Sequence, residues 1–497
     1  MAAGYTGNNN PAVYGNQPGT HNYLNSQEWS DFMLTKPSVF PNLIQRYGIQ
    51  DLGIRSMLKM IPGFSTSSDG AEIRRHLEED FIRGLVFVGA QGGGSAGDAV
   101  QLTVQNGNIG VISQTAPYID AGNAALDEDR IIPRELDIVQ FANGVYAIVT
   151  EVDEAYGTFT VIPNDETEAV PATTTDVGIA ITGSLAEEGS SPRESVSSRF
   201  IYYENYMTHV RDDWNVSTRA AGEPIWVKVP DKNGKLTDKW YAKGAADTYH
   251  RMMGYVDTMF LDGKPLTNPA IAALGGKFRT IQRGLGLIQT IEDAGNNQGY
   301  TKDNMQLDDL ANLNFQFDAN KAPTDHIVLA DIHFRKDFST LLAGGDGTIM
   351  GAANSPGRLL FNTFNGKEKQ GLNLDMDYLT YMGYNYTVKQ MQAFSDPNSL
   401  GAVNKYKGIG VFIPVGQTVM YNYNDSKTKV NVPTVQIVEK ETDLGITGYS
   451  EWMTGHAPKF GINTSGKQEL NFHYEYSGML ETFAINRFGL MTDGLSS

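Results

Sequence analysis

The chain has 497 residues, 40% of them apolar, and a formal net charge of −18. That much apolar material builds a sizeable core and excludes global disorder, while the acidic balance argues against broad contact with phosphate backbones, which need clustered Lys and Arg. The absence of cysteine excludes disulfides, thiolate metal sites and thiol nucleophiles.

Residues 1–64 read as an N-terminal arm. Residues 1–25 are Gly/Asn/Pro-rich and polar, and they carry neither the charged n-region nor the apolar h-region expected of a signal peptide. Short amphipathic pieces follow around Trp29, Phe32 and Met33, around Leu43, Ile44 and Tyr47, and from Leu52 to Ile61. Pro37, Pro41 and Pro62 break them into segments too short for a core of their own. An arm of this kind is expected to lie on a neighbouring subunit. No apolar run approaches the roughly 18 residues of a membrane helix, so the expectation is a soluble, intracellular product.

Residues 65–235 form an excursion too long for an ordinary loop. Polar Ser65–Gly70 leads through the charged run Arg74-Arg75-His76-Leu77-Glu78-Glu79-Asp80 to the strand-like Gly84–Gly89. No lysine falls between Lys59 and Lys228, and Asp98–Glu188 sets sixteen carboxylates against only Arg130 and Arg134. Such a charge imbalance keeps a segment solvated unless a basic partner covers it. It is nevertheless no acidic tail, because Leu136–Val139, Val145–Val149 and Thr158–Ile162 are short β-branched apolar runs separated by Asn143-Gly144 and Tyr156-Gly157. The pattern predicts a small acidic β module at about 98–190, set into a larger scaffold. Arg74, Arg75, Arg83, Arg193, Arg199, Arg211 and Arg219 flank it, either as solvated surface charges or as inter-subunit ion pairs.

Residues 236–305 contain the strongest helix. Thr237 is placed to cap Asp238–Leu261, with Gly263 and Pro265 beyond its end. Ala242, Ala245, Tyr249, Met252, Val256 and Met259 recur at helical spacing, with Ala246, Met253 and Phe260 widening the stripe. A rod of roughly 35 Å results, at about 1.5 Å per residue, which reads as a structural spine.

From 306 to 455 the pattern mixes helix and strand. Asp308–Asn320 is a helix with acidic residues in its first turn, His326–Ala330 a buried strand, and Phe334–Leu342 a short helix closed by Gly344-Gly345. Strands are expected at Leu372–Met376, Tyr378–Met391, Gly408–Pro414, Thr418–Tyr423 and Val430–Lys440. Within 456–497 two alternating strands, Glu469–Tyr476 and Leu480–Phe488, close the chain.

No chemistry-bearing motif meets its structural requirement. Gly92-Gly93-Gly94-Ser95-Ala96-Gly97 satisfies both a dinucleotide and a hydrolase pattern, but a strand-like run follows where each needs a helix. Gly461–Gln468 nearly matches a phosphate-binding loop, yet Gln468 replaces the magnesium-ligating hydroxyl and a strand again follows. His326, Asp331 and His333 are the one His/carboxylate group worth weighing for a metal, and the odd spacing of the first two sets them on opposite strand faces. Asp375 and Asp377 share a strand face without a supporting constellation. Asn215 and Asn385 open glycosylation sequons that have meaning only on secretion. No catalytic, cofactor-binding or metal residues are therefore assigned, and no cofactor is expected.

The order of arm, long β excursion, spine helix, mixed α/β region and returning strands resembles the major capsid proteins of tailed bacteriophages. The excursion 65–235 looks like that family's extended loop. Thr237–Asp262 occupies the place of its spine helix, and residues 236–305 that of the peripheral domain. Gln306–Asn314 with His326–Ala330 looks like the opening of an axial domain over 306–455. The ending Tyr476–Met491 resembles strands returning to the peripheral domain, over 456–497. The texture is similar to capsid proteins of crAss-like gut phages. The resemblance implies an α+β tailed-phage capsid fold and a non-enzymatic structural protein. It also implies self-assembly into hexamers and pentamers around packaged double-stranded DNA, with portal and other virion proteins, and a decoration protein, as further partners. No membrane and no sequence-specific nucleic acid are implied, and the setting is the virion, assembled in the host cytoplasm. The acidic module is larger than the family pattern. Two other classes stay open, another virion or surface structural protein and a soluble carbohydrate-active enzyme.

Overall fold

The computed structural model describes residue 55 and residues 65–79, 85–104, 133–153, 158–173, 177–186, 188–189, 200–222, 224–230, 235–275, 281–343, 378–396, 400–421, 429–442, 448–455 and 467–494. Apart from Arg55, the N-terminal arm lies outside the described residues, as do Arg83, Arg193, Arg199, Asp375, Asp377 and Gly461–Gly466.

The helix Trp240–Asp262 lies along a five-stranded sheet made of Ser65–Asp69, Val435–Lys440, Glu469–Thr482 and Thr208–Ser217, with Tyr449–Gly455 paired to the same long central strand. Met252, Met253, Val256, Met259 and Phe260 are buried in that seam. Strand alternation turns Phe472, Tyr474 and Tyr476 to the same seam, where Phe260 meets Tyr476 and Tyr249 meets Tyr474 edge to face. Gly244 permits a close approach, since a Cβ there would lie 2.4 Å from the Trp214 ring. The helix starts later than its periodicity suggests. Thr237 and Asp238 lie in strand Leu236–Lys239, paired with Pro224–Pro230, so Thr237 is not a cap. Backbone groups committed to a strand partner cannot open a helix.

The second sheet has six strands in the order Asn296–Tyr300, Gly489–Asp493, Gly410–Pro414, Asp325–Ala330, Tyr384–Gln390 and Tyr378–Tyr381. One face packs on helices Leu307–Ala319 and Ile332–Ala343 through Leu310, Leu313, Phe317, Phe334 and Phe338. The other, carrying Leu329, Val411, Ile413 and Leu490, packs with helix Leu287–Ala294 into the same core as the long helix. Central strands buried on both faces carry continuous apolar runs rather than alternation, and Gly410–Pro414 is buried throughout.

Several expected boundaries move. Tyr378–Met391 is a hairpin rather than one strand, turning at Met382 and Gly383, which both adopt left-handed φ angles of 50° and 84°. Val430–Lys440 divides into Lys429–Pro433, paired with Gln417–Tyr421, and Val435–Lys440, paired in the five-stranded sheet. Glu469–Tyr476 and the start of Leu480–Phe488 fuse into the single 14-residue strand Glu469–Thr482. The final strand Gly489–Asp493 joins the six-stranded sheet, so 456–497 does not return to one domain as a unit. Likewise Asn296–Tyr300 lies in the six-stranded sheet, and Val435–Lys440 and Tyr449–Gly455 contribute to the five-stranded one. Strand pairing at long range, invisible to local periodicity, decides sheet membership.

The excursion leaves the five-stranded sheet as a two-stranded antiparallel ribbon, Ile73–Glu79 against Phe200–Tyr206. Beyond it six antiparallel strands run in the order Leu85–Val88, Val177–Ser184, Asp137–Gln140, Tyr146–Asp153, Thr158–Pro163 and Val100–Thr103. The first and last meet, because Val88 bridges Val104 and the Gly89 N–H donates to the Thr103 carbonyl at 2.9 Å. The sheet thus closes into a small barrel. Val86, Leu102, Val139, Ala147, Val149, Phe159, Val161 and Ile179 fill a core of its own, and its first strand precedes the acidic stretch.

Candidate functional site

The motif residues occupy structural places. Gly92–Gly97 is a turn lying against residues 166–172, with Gly94 N–H donating to Val170 O and Gly97 N–H to Glu168 O. A Cβ on Gly93 would fall 2.8 Å from the Ala172 nitrogen, so close backbone packing rather than phosphate binding accounts for that glycine. Of the second Gly-rich segment, Lys467 and Gln468 are described, and the Gln468 carbonyl accepts from Thr218 N–H.

The candidate metal residues are not brought together. His326 is buried and stacked on Phe317 with ring centroids 4.4 Å apart. Burial pushes its pKa down to about 4, outweighing the carbonyls of Arg487 and Thr324 and the charge of Asp325. Asp331 caps helix Ile332–Ala343, accepting from His333 N–H at 3.0 Å, and also accepts from Ser395 Oγ at 2.6 Å and Gly408 N–H at 3.0 Å. Among the described residues no three His, Asp or Glu side chains converge on a metal-binding cluster. Asn215 and Asn385 lie in strands of the two large sheets, where the Asn385 amide donates to Asp325.

The flanking arginines that are described have partners within the chain. Arg75 pairs with Glu204 at 3.0 Å, Arg211 with Asp213 at 3.3 Å, and Arg74 with Glu481 at 3.4 Å. The last pair belongs to a cluster that sequence reasoning missed, at the root of the ribbon. His76 lies 3.4 Å from Glu78 and 3.5 Å from the buried Glu481, and its ring is stacked on Tyr203 and tilted against Phe483. Gln436 donates to Glu481, and Glu78 accepts the Ala484 N–H at 2.6 Å. Burial alone would lower the His76 pKa, but the adjacent carboxylates of Glu481 and Glu78 raise it to about 9. Burial would likewise raise Glu481, and His76, Gln436 and Arg74 together hold it below its ordinary value. The sequence signal was the dense run Arg74–Asp80, whose partner Glu481 stands some four hundred positions away.

The opposite ribbon face is open. Leu77 and Tyr202 are paired across the strands and 65% and 36% exposed, with the Arg75 guanidinium 5.7 Å from the Tyr202 ring centroid. Apolar side chains on a projecting ribbon lack the cover that a chain's own core supplies.

No family model matches the chain, and no curated protein matches it. Solved structures similar to it are phage capsid structures and an encapsulin. One from Mycobacterium phage Bobi is 9% identical, covers 95% of this chain and 100% of that one, and superposes with a TM-score of 0.38. The capsid structure of Cyanophage P-SCSP1u is 12% identical over 63% of this chain and 81% of that one, with a TM-score of 0.31. The holo-SrpI encapsulin complex of Synechococcus elongatus PCC 7942 is 11% identical over 59% and 77%, with a TM-score of 0.29. Among the described residues, no helix is long and apolar enough to cross a membrane.

Proposed function

We propose that this chain is the repeating subunit of an icosahedral shell, a major capsid protein of the tailed-phage type. In this reading it assembles into hexamers and pentamers around packaged double-stranded DNA. The observation that carries the reading is the ribbon 73–79/200–206. It leaves the five-stranded sheet, carries a separately cored barrel, and presents Leu77 and Tyr202 to solvent. A second copy of the chain would cover that face. The acidic balance suits a shell lining that must not adhere to its genome. The role is structural rather than catalytic, the setting is the virion, and portal, other virion and decoration proteins are further partners.

Electron microscopy of the purified protein tests this, with rings of five and six or closed shells expected. Leu77→Asp should abolish them while leaving the melting temperature unchanged. A protein that stays monomeric at all concentrations, or that assembles equally well with Leu77→Asp, would overturn the reading.

A further inference from the structure

The root of the ribbon is fastened on its two strands by different chemistry. On the returning strand Asn205 supplies a neutral pin. Its amide donates to Leu480 O at 2.7 Å and Leu285 O at 3.2 Å, and its carbonyl oxygen accepts Leu285 N–H at 2.8 Å. On the outgoing strand the fastening is ionic, through Arg74, His76 and Glu78 against Glu481 and the Ala484 N–H. Between ribbon and sheet the backbone passes Gly70 on one side and Met207 on the other, with the Met207 N–H bonded to Glu72 O at 2.9 Å.

We propose that Arg74, His76, Glu78 and Glu481 form a proton-dependent clasp, which holds the outgoing strand of the barrel-bearing ribbon against the five-stranded sheet and releases it when His76 loses its proton. The groups facing His76 settle the direction. Its own strand presents Arg74 and Glu78, and the returning strand presents the Tyr203 ring. The long strand contributes Glu481, with the Phe483 ring just past its end. Strand Val435–Lys440 adds Gln436 on Glu481, and Ser65–Asp69 adds Asp69 at 3.8 Å from Arg74. Two carboxylates thus face the imidazole, and one of them is buried. With the imidazole neutral, Glu481 keeps only Arg74 and Gln436, and Glu78 loses its charged neighbour. A buried carboxylate short of compensation is destabilising. The folded-state pKa of about 9 lies above the ordinary histidine value. The clasp is therefore fully present below that ordinary value and is lost as pH rises through the folded one. The Asn205 pin carries no titrating group, so release begins on the outgoing strand.

The clasp does not rest on the assembly reading, and the full-length chain in dilute solution tests it. The His76 ring resonance is followed by NMR from about pH 5 to about pH 10. Hydrogen–deuterium exchange of residues 73–79 is compared with that of the six-stranded sheet, after correction for intrinsic base catalysis. The His76 midpoint should lie well above the other histidines. Protection of 73–79 should fall by up to about tenfold per pH unit between the ordinary histidine value and that midpoint and level off above it, with the six-stranded sheet unchanged. His76→Gln should remove the step, and Glu78→Gln, which keeps an acceptor for Ala484, should move the midpoint down. A His76 midpoint at or below its ordinary value, no step in 73–79, or a step that survives His76→Gln would overturn the proposal.

Discussion

At the scale of single residues, two histidines pull stability in opposite directions with pH. His326 is held neutral, with a folded pKa of about 4 against an unfolded value near 6.5. Its contribution is present above the unfolded value and is lost as pH falls through the folded one. The depression corresponds to about 3 kcal/mol at roughly 1.4 kcal/mol per unit. His326→Phe, which keeps a ring against Phe317, should therefore flatten the fall in unfolding free energy between neutral pH and about pH 4, as measured by denaturant titration. If His326→Phe shows the same acid limb as the native chain, His326 does not set it. Within the long helix, Gly244→Ala opposes two effects. Helix propensity favours alanine by about 1 kcal/mol, whereas a Cβ 2.4 Å from the Trp214 ring is overpacked, at about 1–3 kcal/mol. Packing should win, and calorimetry should show a net loss. Tyr249→Asp sets a charge among Tyr449 and Tyr474, costing several kcal/mol if the charge stays unpaired. Asp247→Ala, by contrast, removes an exposed pair with Lys243 and costs at most about 0.5 kcal/mol. Equal melting temperatures for that pair would show that the Tyr249 seam is not buried.

At the scale of elements, the barrel is the testable unit. Among the described residues its core draws on positions between Val86 and Ile179 and on none from the two large sheets, and its strands are mutually paired from Leu85 to Ser184. A fragment spanning 81–189 should unfold cooperatively, and the chain with 81–189 replaced by a Gly/Ser linker should retain the core of residues 236–494. Circular dichroism melts of both decide this. A linker variant that is insoluble, or a fragment without a transition, would show that barrel and body fold together. The long strand Glu469–Thr482 behaves differently, because Thr208–Ser217, Tyr449–Gly455 and Val435–Lys440 all pair with it. A proline at Tyr474 should therefore abolish folding rather than detach one edge.

At the scale of the whole molecule, the described residues build two large sheets that share one core, with a barrel carried out on a ribbon. The arm meets that body at one described point, where Arg55 pairs with the buried Asp257 of the long helix at 2.6 Å. Deleting residues 1–45 leaves that pair intact, so the truncated chain should melt cooperatively near the native temperature yet fail to form rings or shells. Loss of the cooperative transition would assign the arm to the chain's own core instead.

The sequence by itself determined the features that depend on local spacing. The stripe Met252–Val256–Met259 identified the long helix, and Asn143-Gly144 the hairpin inside the barrel. Each follows from backbone periodicity or turn geometry within a few residues. Only the tertiary structure decided which strands share a sheet, that Thr237 pairs in a strand instead of capping, that the last two strands part company, and that His76 meets Glu481. Periodicity reports that a side chain is buried but not what buries it. The choice among distant partners belongs to packing and hydrogen-bond satisfaction across hundreds of positions. The clasp at the ribbon root was hidden for that reason, since a run of charged residues looks the same in sequence whether water or a buried carboxylate receives it.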